Sequence, residues 1–171
     1  TSTEADENPV AYCDATGASF YYKELINTVE NKRVIYSTRC PNHYAVCQTS
    51  ACSENDSNDG GRSSAVPSEG YWEIPLYPVM ALDLKSNTNV SCATKEVAVA
   101  LNGVSIFSQS AGDTSCSDAL QTSSIRNSID VCGGISDNDG VYNYHLPPSC
   151  LLKQLGNSNT THSPQIGWAL D

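Results

Sequence analysis

The chain has 171 residues and a formal net charge of −10, from 19 acidic and 9 basic residues. This length fits one domain with a sizeable buried core. The acidic balance argues against a nucleic-acid partner, because attraction to phosphate needs a basic face. No apolar run approaches the roughly 18 to 20 residues that span a bilayer, so we expect no membrane insertion in this chain.

Residues 1–12 are polar and acidic, and we expect an N-terminal lead-in before a single domain over 13–171. The segment 20–36 is ambiguous. Its apolar residues recur at helical spacing in the first half, whereas the second half is β-branched, so a helix or a hairpin arm followed by a strand both fit. Residues 48–70 have the composition of a long exposed loop.

The segment 71–84 is too apolar for a loop, but it contains Pro75 and Pro78. Proline breaks the hydrogen-bond ladder at the centre of a sheet, so an edge strand or an extended segment is predicted. The clearest local pattern lies in 95–107, where apolar residues alternate on both sides of Asn102-Gly103. This pattern predicts a β-hairpin with a two-residue type I′ turn.

Helical signals are few in the last third of the chain. Residues 117–132 are a weak helix candidate because of their serines. A short helix is better supported at 149–156, where Ser149 can cap the first amides and Gly156 can supply a left-handed exit. Residues 165–170 read as a buried strand. We therefore predict a mainly β fold, an irregular sandwich or barrel with one to three short helices and long disulfide-pinned loops.

Eight cysteines, an even number, favour disulfides, since none is arranged as the C-x-x-C pair typical of zinc or redox sites. The sequence does not choose among the possible pairings. Disulfides imply an oxidising compartment, and we expect a secreted, extracellular protein. The cysteines are Cys13, Cys40, Cys47, Cys52, Cys92, Cys116, Cys132 and Cys150.

Three N-glycosylation sequons begin at Asn55, Asn89 and Asn159, all in polar, loop-like surroundings. Such triplets also arise by chance in chains rich in serine and asparagine. Their number and setting agree with the compartment that the cysteines indicate, and we expect N-linked glycans on at least one of them in a eukaryote.

The three histidines are candidate metal ligands. His43, His145 and His162 are distant in sequence, and they could converge with Asp171 or Asp139 on zinc or copper. The alternative is that each imidazole hydrogen-bonds to backbone carbonyls and shapes its own loop. Calcium is a further possibility, because the oxygen donors of 53–61 and 136–140 lie beside glycines, although neither loop fits the EF-hand template.

The sequence gives no catalytic residue that we would assign. It has neither a G-x-S-x-G nucleophile elbow nor an H-E-x-x-H helix, and cysteines held in disulfides cannot act as thiolate nucleophiles. The sequence does not exclude a glycosidase with paired carboxylates, because that chemistry has no fixed short motif. The sequence therefore leans against an enzyme.

Several motifs, taken together, resemble the YHYH family of secreted domains. In chain order they are Pro41-Asn42-His43, the hairpin 99–107, Cys132-Gly133-Gly134, Tyr142-Asn143-Tyr144-His145 and the run 162–171. The resemblance extends over roughly residues 39 to 171. It implies a secreted domain, but it implies no firm activity.

The chain departs from the family pattern at two positions. Asn143 stands where the motif has its first histidine, and Ile135 stands where a histidine is expected after the paired glycines. The sequence also ends at Asp171, before the Gly-Phe-Pro-Ile-Tyr run of the pattern. Because an amide binds zinc or copper more weakly than imidazole, Asn143 weighs against a metal site built on the full motif.

Tyr142 and Tyr144 lie on one side of the chain if this segment is extended, with Asn143 and His145 on the other side. Tyrosine pairs commonly pack over proline rings and satisfy their hydroxyls at a wet boundary, and the alternative is a platform for a sugar or a partner. We predict an extracellular structural or adhesive glycoprotein domain that self-associates or binds other extracellular proteins. The alternative is a metal-binding protein or metal-dependent enzyme.

Overall fold

A computed structural model describes eight parts of the chain, and the fold below is that of these parts. The predicted lead-in, the three sequon asparagines, Asp171, four of the cysteines and most of the helix candidate at 117–132 lie outside them. The described residues are 13, 20–43, 65–79, 96–108, 129–137, 139–158, 160 and 162–170.

The first sheet has three antiparallel strands in the order β1-β2-β3: β1 (Tyr22–Asn27), β2 (Lys32–Ser37) and β3 (Gly70–Pro75). The ambiguous segment 20–36 is therefore a hairpin, and the helical alternative is wrong there. The side-chain carbonyl of Asn27 accepts hydrogen bonds from the amides of Val29 and Glu30, and Asn31 has a φ of 54°. These polar contacts close the turn.

β3 is the edge strand predicted from its prolines. It pairs on one side with β2, and Pro75 is its last residue. Trp72 and Ile74 are buried, whereas Tyr71 and Glu73, which alternate with them, are exposed. This alternation shows that one face of β3 is packed and the other faces solvent.

The second sheet has five strands in the order β6-β7-β5-β4-β8. Neighbouring strands are antiparallel except β5 and β7, which run parallel. The strand predicted in 165–170 is present as β8, but it is half-buried at the sheet edge. The strands are β4 (Glu96–Ala100), β5 (Ser105–Phe107), β6 (Gly134–Ser136), β7 (Tyr142–Tyr144) and β8 (Gly167–Ala169).

The hairpin predicted in 95–107 is confirmed, but its turn is not type I′. The Gly103 amide donates to the Ala100 carbonyl at 2.8 Å, and the Ala100 amide donates to the Val104 carbonyl at 2.8 Å. Gly103 has a φ of 74°, and Asn102 is not among the residues with positive φ. The loop thus has three residues, with Gly103 in the left-handed position that follows a type I turn.

The described residues contain one α-helix, α1 (Ser149–Gln154). Gly156 provides the predicted left-handed exit, with a φ of 75°. The Asn157 amide donates to the Leu152 carbonyl and the Gly156 amide to the Lys153 carbonyl, which is a Schellman motif. Ser149 does not cap the helix. It lies in the first turn, and its hydroxyl donates to the Val131 carbonyl at 2.6 Å.

The two sheets pack face to face. Ile35, Trp72 and Ile74 of the first sheet form one core with Val99 of β4. The opposite face of the second sheet carries a separate core, which is made by Cys13, Cys40, Ala65, Ala100, Val104, Tyr142, Tyr144 and Leu151. The fold is therefore mainly β and built as a sandwich, and the described strands do not close into a barrel.

In the described part of the chain, no helix is both long enough and apolar enough to cross a membrane.

Candidate functional site

The two motif tyrosines lie side by side on the face of β7 that covers the second core. Both are fully buried, and their ring centroids are 5.6 Å apart in an edge-to-face arrangement. The Tyr142 hydroxyl donates to Asp130 Oδ2 at 2.7 Å. The Tyr144 hydroxyl lies 2.6 Å from His43 Nε2 and accepts from Asn102 Nδ2 at 3.0 Å. These five residues are called the tyrosine network below.

Burial keeps both phenols in the neutral form. It raises the pKa of Tyr142 well above the ordinary value, and the neighbouring Asp130 carboxylate adds to the shift. Burial also raises the pKa of Tyr144, although the hydrogen bond from Asn102 opposes the shift. A protonated phenol both donates and accepts a hydrogen bond, so each tyrosine can join two groups that do not touch each other.

Asp130 is held by backbone amides on one side and by a phenol on the other. Its Oδ1 accepts from the Cys132 amide at 2.8 Å and from the Gly134 amide at 2.9 Å. Burial raises the pKa of this carboxyl, and the hydrogen bonds from Gly134, Tyr142 and Cys132 act in the opposite direction. These partners are two backbone amides and one buried phenol of the same chain, so the Asp130 carboxylate fixes the turn that leads into β6.

The paired glycines of the motif have two different roles. Gly133 has a φ of 89°, and a Cβ built there would lie 2.6 Å from the Pro147 carbonyl oxygen. At Gly134, a Cβ would lie 2.3 Å from the ring of Tyr142. The first glycine allows the left-handed turn and the second allows the tyrosine ring to pack on the backbone.

Two disulfides border the tyrosine network: Cys13–Cys40 and Cys132–Cys150. Every cysteine in the described residues is thus paired. His43 and the two sulfurs of Cys132–Cys150 have ligand atoms within 4.8 Å of one another, which resembles a metal-binding group. Both sulfurs are already bonded to each other, so thiolates are not available to a metal ion here.

The opposite face of β7 carries the two positions at which the chain departs from the family pattern. Ile135 of β6 and Asn143 of β7 are direct cross-strand partners. His145 follows on the same side and contacts Phe107 edge-on at 5.6 Å. Asn143 Oδ1 and His145 Nδ1 are buried and have no hydrogen-bond partner in the described part of the chain. Burial lowers the pKa of His145, although a hydrogen bond to the Ser108 backbone opposes this shift.

The structure places the three histidines in separate environments. His43 lies in the tyrosine network, His145 lies on the opposite face of the same sheet, and His162 is exposed with Nδ1 2.7 Å from the Ser163 carbonyl oxygen. Among the described residues they do not form one group of ligand atoms. Asp171 lies outside the described residues, and Asp139 is exposed.

In the loop 136–140, one of the two calcium candidates, the Asp137 carboxylate hydrogen-bonds to nearby backbone amides. Asp137 Oδ1 accepts from the Asp139 amide at 3.0 Å and from the Val141 amide at 2.9 Å. Gly140 has a φ of 77°, and its amide donates to the Asp137 carbonyl. This carboxylate therefore closes the turn between β6 and β7. The other candidate loop, 53–61, lies outside the described residues.

Asp130 and Asn102 are not among the candidate site residues that the sequence indicates. The sequence pattern predicts Asp130 near the end of a weak helix and Asn102 as a turn residue. A signal for Asp130 is present, because an aspartate a few residues before a glycine pair is typical of a side chain that accepts from the amide two residues on and closes its own turn. No local pattern predicts that Asn102 reaches Tyr144, since 42 residues separate them.

Comparison with known proteins agrees with the motifs. A profile of the family described as YHYH protein matches residues 71–171, which is more than half of the chain. The chain belongs to the YHYH family. No curated protein and no solved structure matches it. In this YHYH protein the namesake motif is the segment 142–145, so the family signature coincides with β7 and the tyrosine network.

Proposed function

We propose that this YHYH protein is an extracellular structural or adhesive domain, a subunit of a cell-surface, matrix or fibre assembly. The observation that carries the proposal is the complete burial of Tyr142 and Tyr144. Their hydroxyls contact Asp130, Asn102 and His43, all of the same chain, instead of facing a substrate. A motif whose side chains hydrogen-bond to other residues of the same chain in this way stabilises the fold of the domain.

The other motif segments support the same role. The Asn42 side chain accepts from Asn102, and the Leu101 amide donates to the Ile166 carbonyl. A Cβ at Gly167 would lie 2.3 Å from the Val99 carbonyl oxygen, so the glycine allows β8 to approach β4. Each of these segments contacts the hairpin 96–107 or a residue of the tyrosine network. The motif segments are thus far apart in the sequence but lie together in one part of the fold.

Disulfides support secretion, because bridges of this kind persist in oxidising compartments. We further propose N-linked glycans at one or more of Asn55, Asn89 and Asn159. Enzymatic removal of N-glycans from natively produced protein should lower its mass in steps of whole glycans. An unchanged mass would contradict this part of the proposal.

Exposed apolar side chains on the outer face of the first sheet support an adhesive or assembling surface. Tyr36 and Tyr71 are cross-strand partners with ring centroids 5.2 Å apart, and both are exposed. Leu25 on β1 is exposed as well. Apolar side chains grouped on an exposed face are typical of a contact with another molecule.

Sedimentation and light scattering over a wide range of protein concentration test the assembly. We expect the mean mass to rise with concentration. Added salt should favour association, because it screens the repulsion between chains of charge −10. A chain that stays monomeric at the highest concentration and salt would contradict the proposal.

A metal-binding role is the second candidate, and one observation favours it. His145 Nδ1 is buried and has no hydrogen-bond partner among the described residues, and such a nitrogen is available as a ligand. Elemental analysis of protein purified without chelator, repeated with His145→Ala, tests this role. Zinc, copper or calcium at one ion per chain that is lost in the variant would support it, and metal-free wild-type protein would exclude it.

A further inference from the structure

Among the strands that the structure describes, β1 is an edge of the first sheet. It pairs with β2 through six consecutive residue pairs without a bulge, and no described strand pairs with its other side. Leu25 is 43% exposed and its neighbour Ile26 is 51% exposed. Adjacent residues of a strand point to opposite faces, so the outer rim of β1 is apolar on both faces.

The direction of the free backbone groups follows from one hydrogen bond. The Thr38 amide donates to the Tyr21 carbonyl at 3.1 Å, so Tyr21 bonds towards β2. In an antiparallel ladder, residues whose backbone groups bond to the neighbouring strand alternate with residues whose backbone groups point away from it. The N–H and C=O groups of Tyr22, Glu24 and Ile26 therefore point away from β2 and form the template that an added strand requires.

The charges on β1 are partly neutralised within the chain. The Glu24 carboxylate pairs with the Arg33 guanidinium and also accepts from the Tyr22 hydroxyl at 3.0 Å. Lys23 is the other charged residue of the strand. Lysine is a common protection of edge strands, so any added strand must place a suitable residue opposite Lys23.

We propose that β1 pairs antiparallel with β1 of a second copy of this chain, with Leu25 opposite Leu25. This inference rests on the proposed function, because it names the partner and the surface of the assembly. Two-fold symmetry about an axis normal to the sheet joins like faces and puts one residue opposite its own copy. The register is then fixed by which residue lies on the axis.

Charge selects the register. With Lys23 on the axis, two lysines would face each other, and with Glu24 on the axis, two glutamates would do so. With Leu25 on the axis, Lys23 faces Asn27 and Glu24 faces Ile26. Within β1, this is the longest pairing that puts no like charges opposite. Leu25 then occupies a non-hydrogen-bonded pair, in which side chains approach most closely.

The pairing would join two three-stranded sheets into one six-stranded sheet with Leu25 at its centre. A two-fold contact of this type is closed, because each copy uses its own single β1 edge. β1 pairing therefore produces a dimer, and growth beyond a dimer requires another surface.

Register-specific cross-linking tests the proposal. The Leu25→Cys variant should form a covalent dimer under mild oxidation, since the two residues are opposite each other. The Ile26→Cys variant is the matched control. It lies on the same rim with similar exposure, but it faces Glu24 of the partner and should cross-link far less. Equal cross-linking of both variants, or none with Leu25→Cys, would overturn the register.

Sedimentation of a Leu25→Lys variant gives an independent result. We expect the dissociation constant of the dimer to rise by about tenfold or more, because two lysines would then face each other and the apolar contact between the two Leu25 side chains would be lost. Val79→Lys is the control, since Val79 is 87% exposed and lies outside β1. An associating wild type that Leu25→Lys leaves unchanged would overturn β1 pairing alone. A monomeric wild type would overturn the proposed assembly as well.

Discussion

The phenol of Tyr144 is the group through which three distant segments of the chain meet. Tyr144 lies on β7, His43 follows the disulfide-bonded Cys40, and Asn102 lies in the turn of the β4–β5 hairpin. Loss of this single oxygen would leave an imidazole nitrogen and a side-chain amide without their buried partner.

We therefore expect Tyr144→Phe to lower the free energy of unfolding by about 1 to 3 kcal/mol, the cost of unsatisfied buried polar groups. Denaturant unfolding followed by tryptophan fluorescence measures this change. Tyr77→Phe is the matched control, because Tyr77 is 77% exposed and should change stability by no more than a few tenths of a kcal/mol. Equal stability of the two variants would contradict a structural role for the Tyr144 hydroxyl.

The lowered pKa of His145 predicts that the protein loses stability in acid. Burial lowers the pKa of its imidazole in the folded state, so the unfolded state binds a proton first as the pH falls. Stability from this residue is complete above about pH 6.5, the ordinary histidine value, and it is lost as the pH falls towards the lowered pKa.

Comparison with His145→Gln isolates this contribution, since Asp130 has a raised pKa and shifts stability in the opposite direction. Unfolding free energies at about pH 7.5 and about pH 5.5 should differ more in the wild type than in the variant. An identical pH dependence in both proteins would show that His145 does not titrate differently on folding.

At the scale of the elements, the turn into β6 depends on Gly133. Gly133→Ala should combine a left-handed alanine, which costs about 1 to 2 kcal/mol, with crowding against the Pro147 carbonyl, which costs about 1 to 3 kcal/mol. Gly156→Ala is a matched control with a similar φ and no atom within 4 Å of the added Cβ. Thermal unfolding should therefore show the larger loss for Gly133→Ala, and the reverse order would contradict the packing argument.

Local patterns predicted the elements better than they predicted the turns. The sequence predicts the hairpin 95–107 because apolar alternation on both sides of a glycine turn is a short-range signal, and the structure buries Val99. The turn type was wrong because Leu101 also belongs to the loop, which the Asn-Gly pair alone does not reveal. The segment 20–36 stayed ambiguous because Leu25 and Ile26 are both apolar although both are exposed, so no alternation marks the strand.

The tyrosine network was only half predictable. The sequence places Tyr142 and Tyr144 on one side of an extended segment, and the structure shows this arrangement. The sequence predicts hydroxyls at a wet boundary, whereas both tyrosines are fully buried and their hydroxyls contact Asp130 and His43. Their partners come from positions as far as 101 residues away. Such partners depend on how the strands are ordered in the sheet, and the sequence pattern did not specify that order.

At the scale of the whole molecule, the two disulfides reduce the number of ways in which the eight cysteines can still be paired. Cys13–Cys40 and Cys132–Cys150 account for four of the eight cysteines. The remaining four, which are Cys47, Cys52, Cys92 and Cys116, can pair among themselves in three ways. We expect peptide mapping of unreduced protein to recover both bridges and one of these three pairings. A peptide linking Cys47 to Cys132 would contradict it.

Removal of one bridge should show how strongly it stabilises the fold. Cys132→Ala/Cys150→Ala opens a link across 18 residues. The double variant should lose about 2 to 4 kcal/mol of unfolding free energy, which denaturant titration measures. A loss below about 0.5 kcal/mol would show that hydrogen bonds and packing hold this loop without the bridge.

The cross-strand pair Ile135–Asn143 has a consequence for how the family varies. The two positions at which this chain departs from the family pattern are directly opposite each other on neighbouring strands. A change at one therefore alters the surroundings of the other, and we expect the two to covary among relatives. Family members with histidine at both positions would bring these imidazoles together on the side of the sheet that carries His145, whereas this chain has one imidazole beside an alkyl group and an amide.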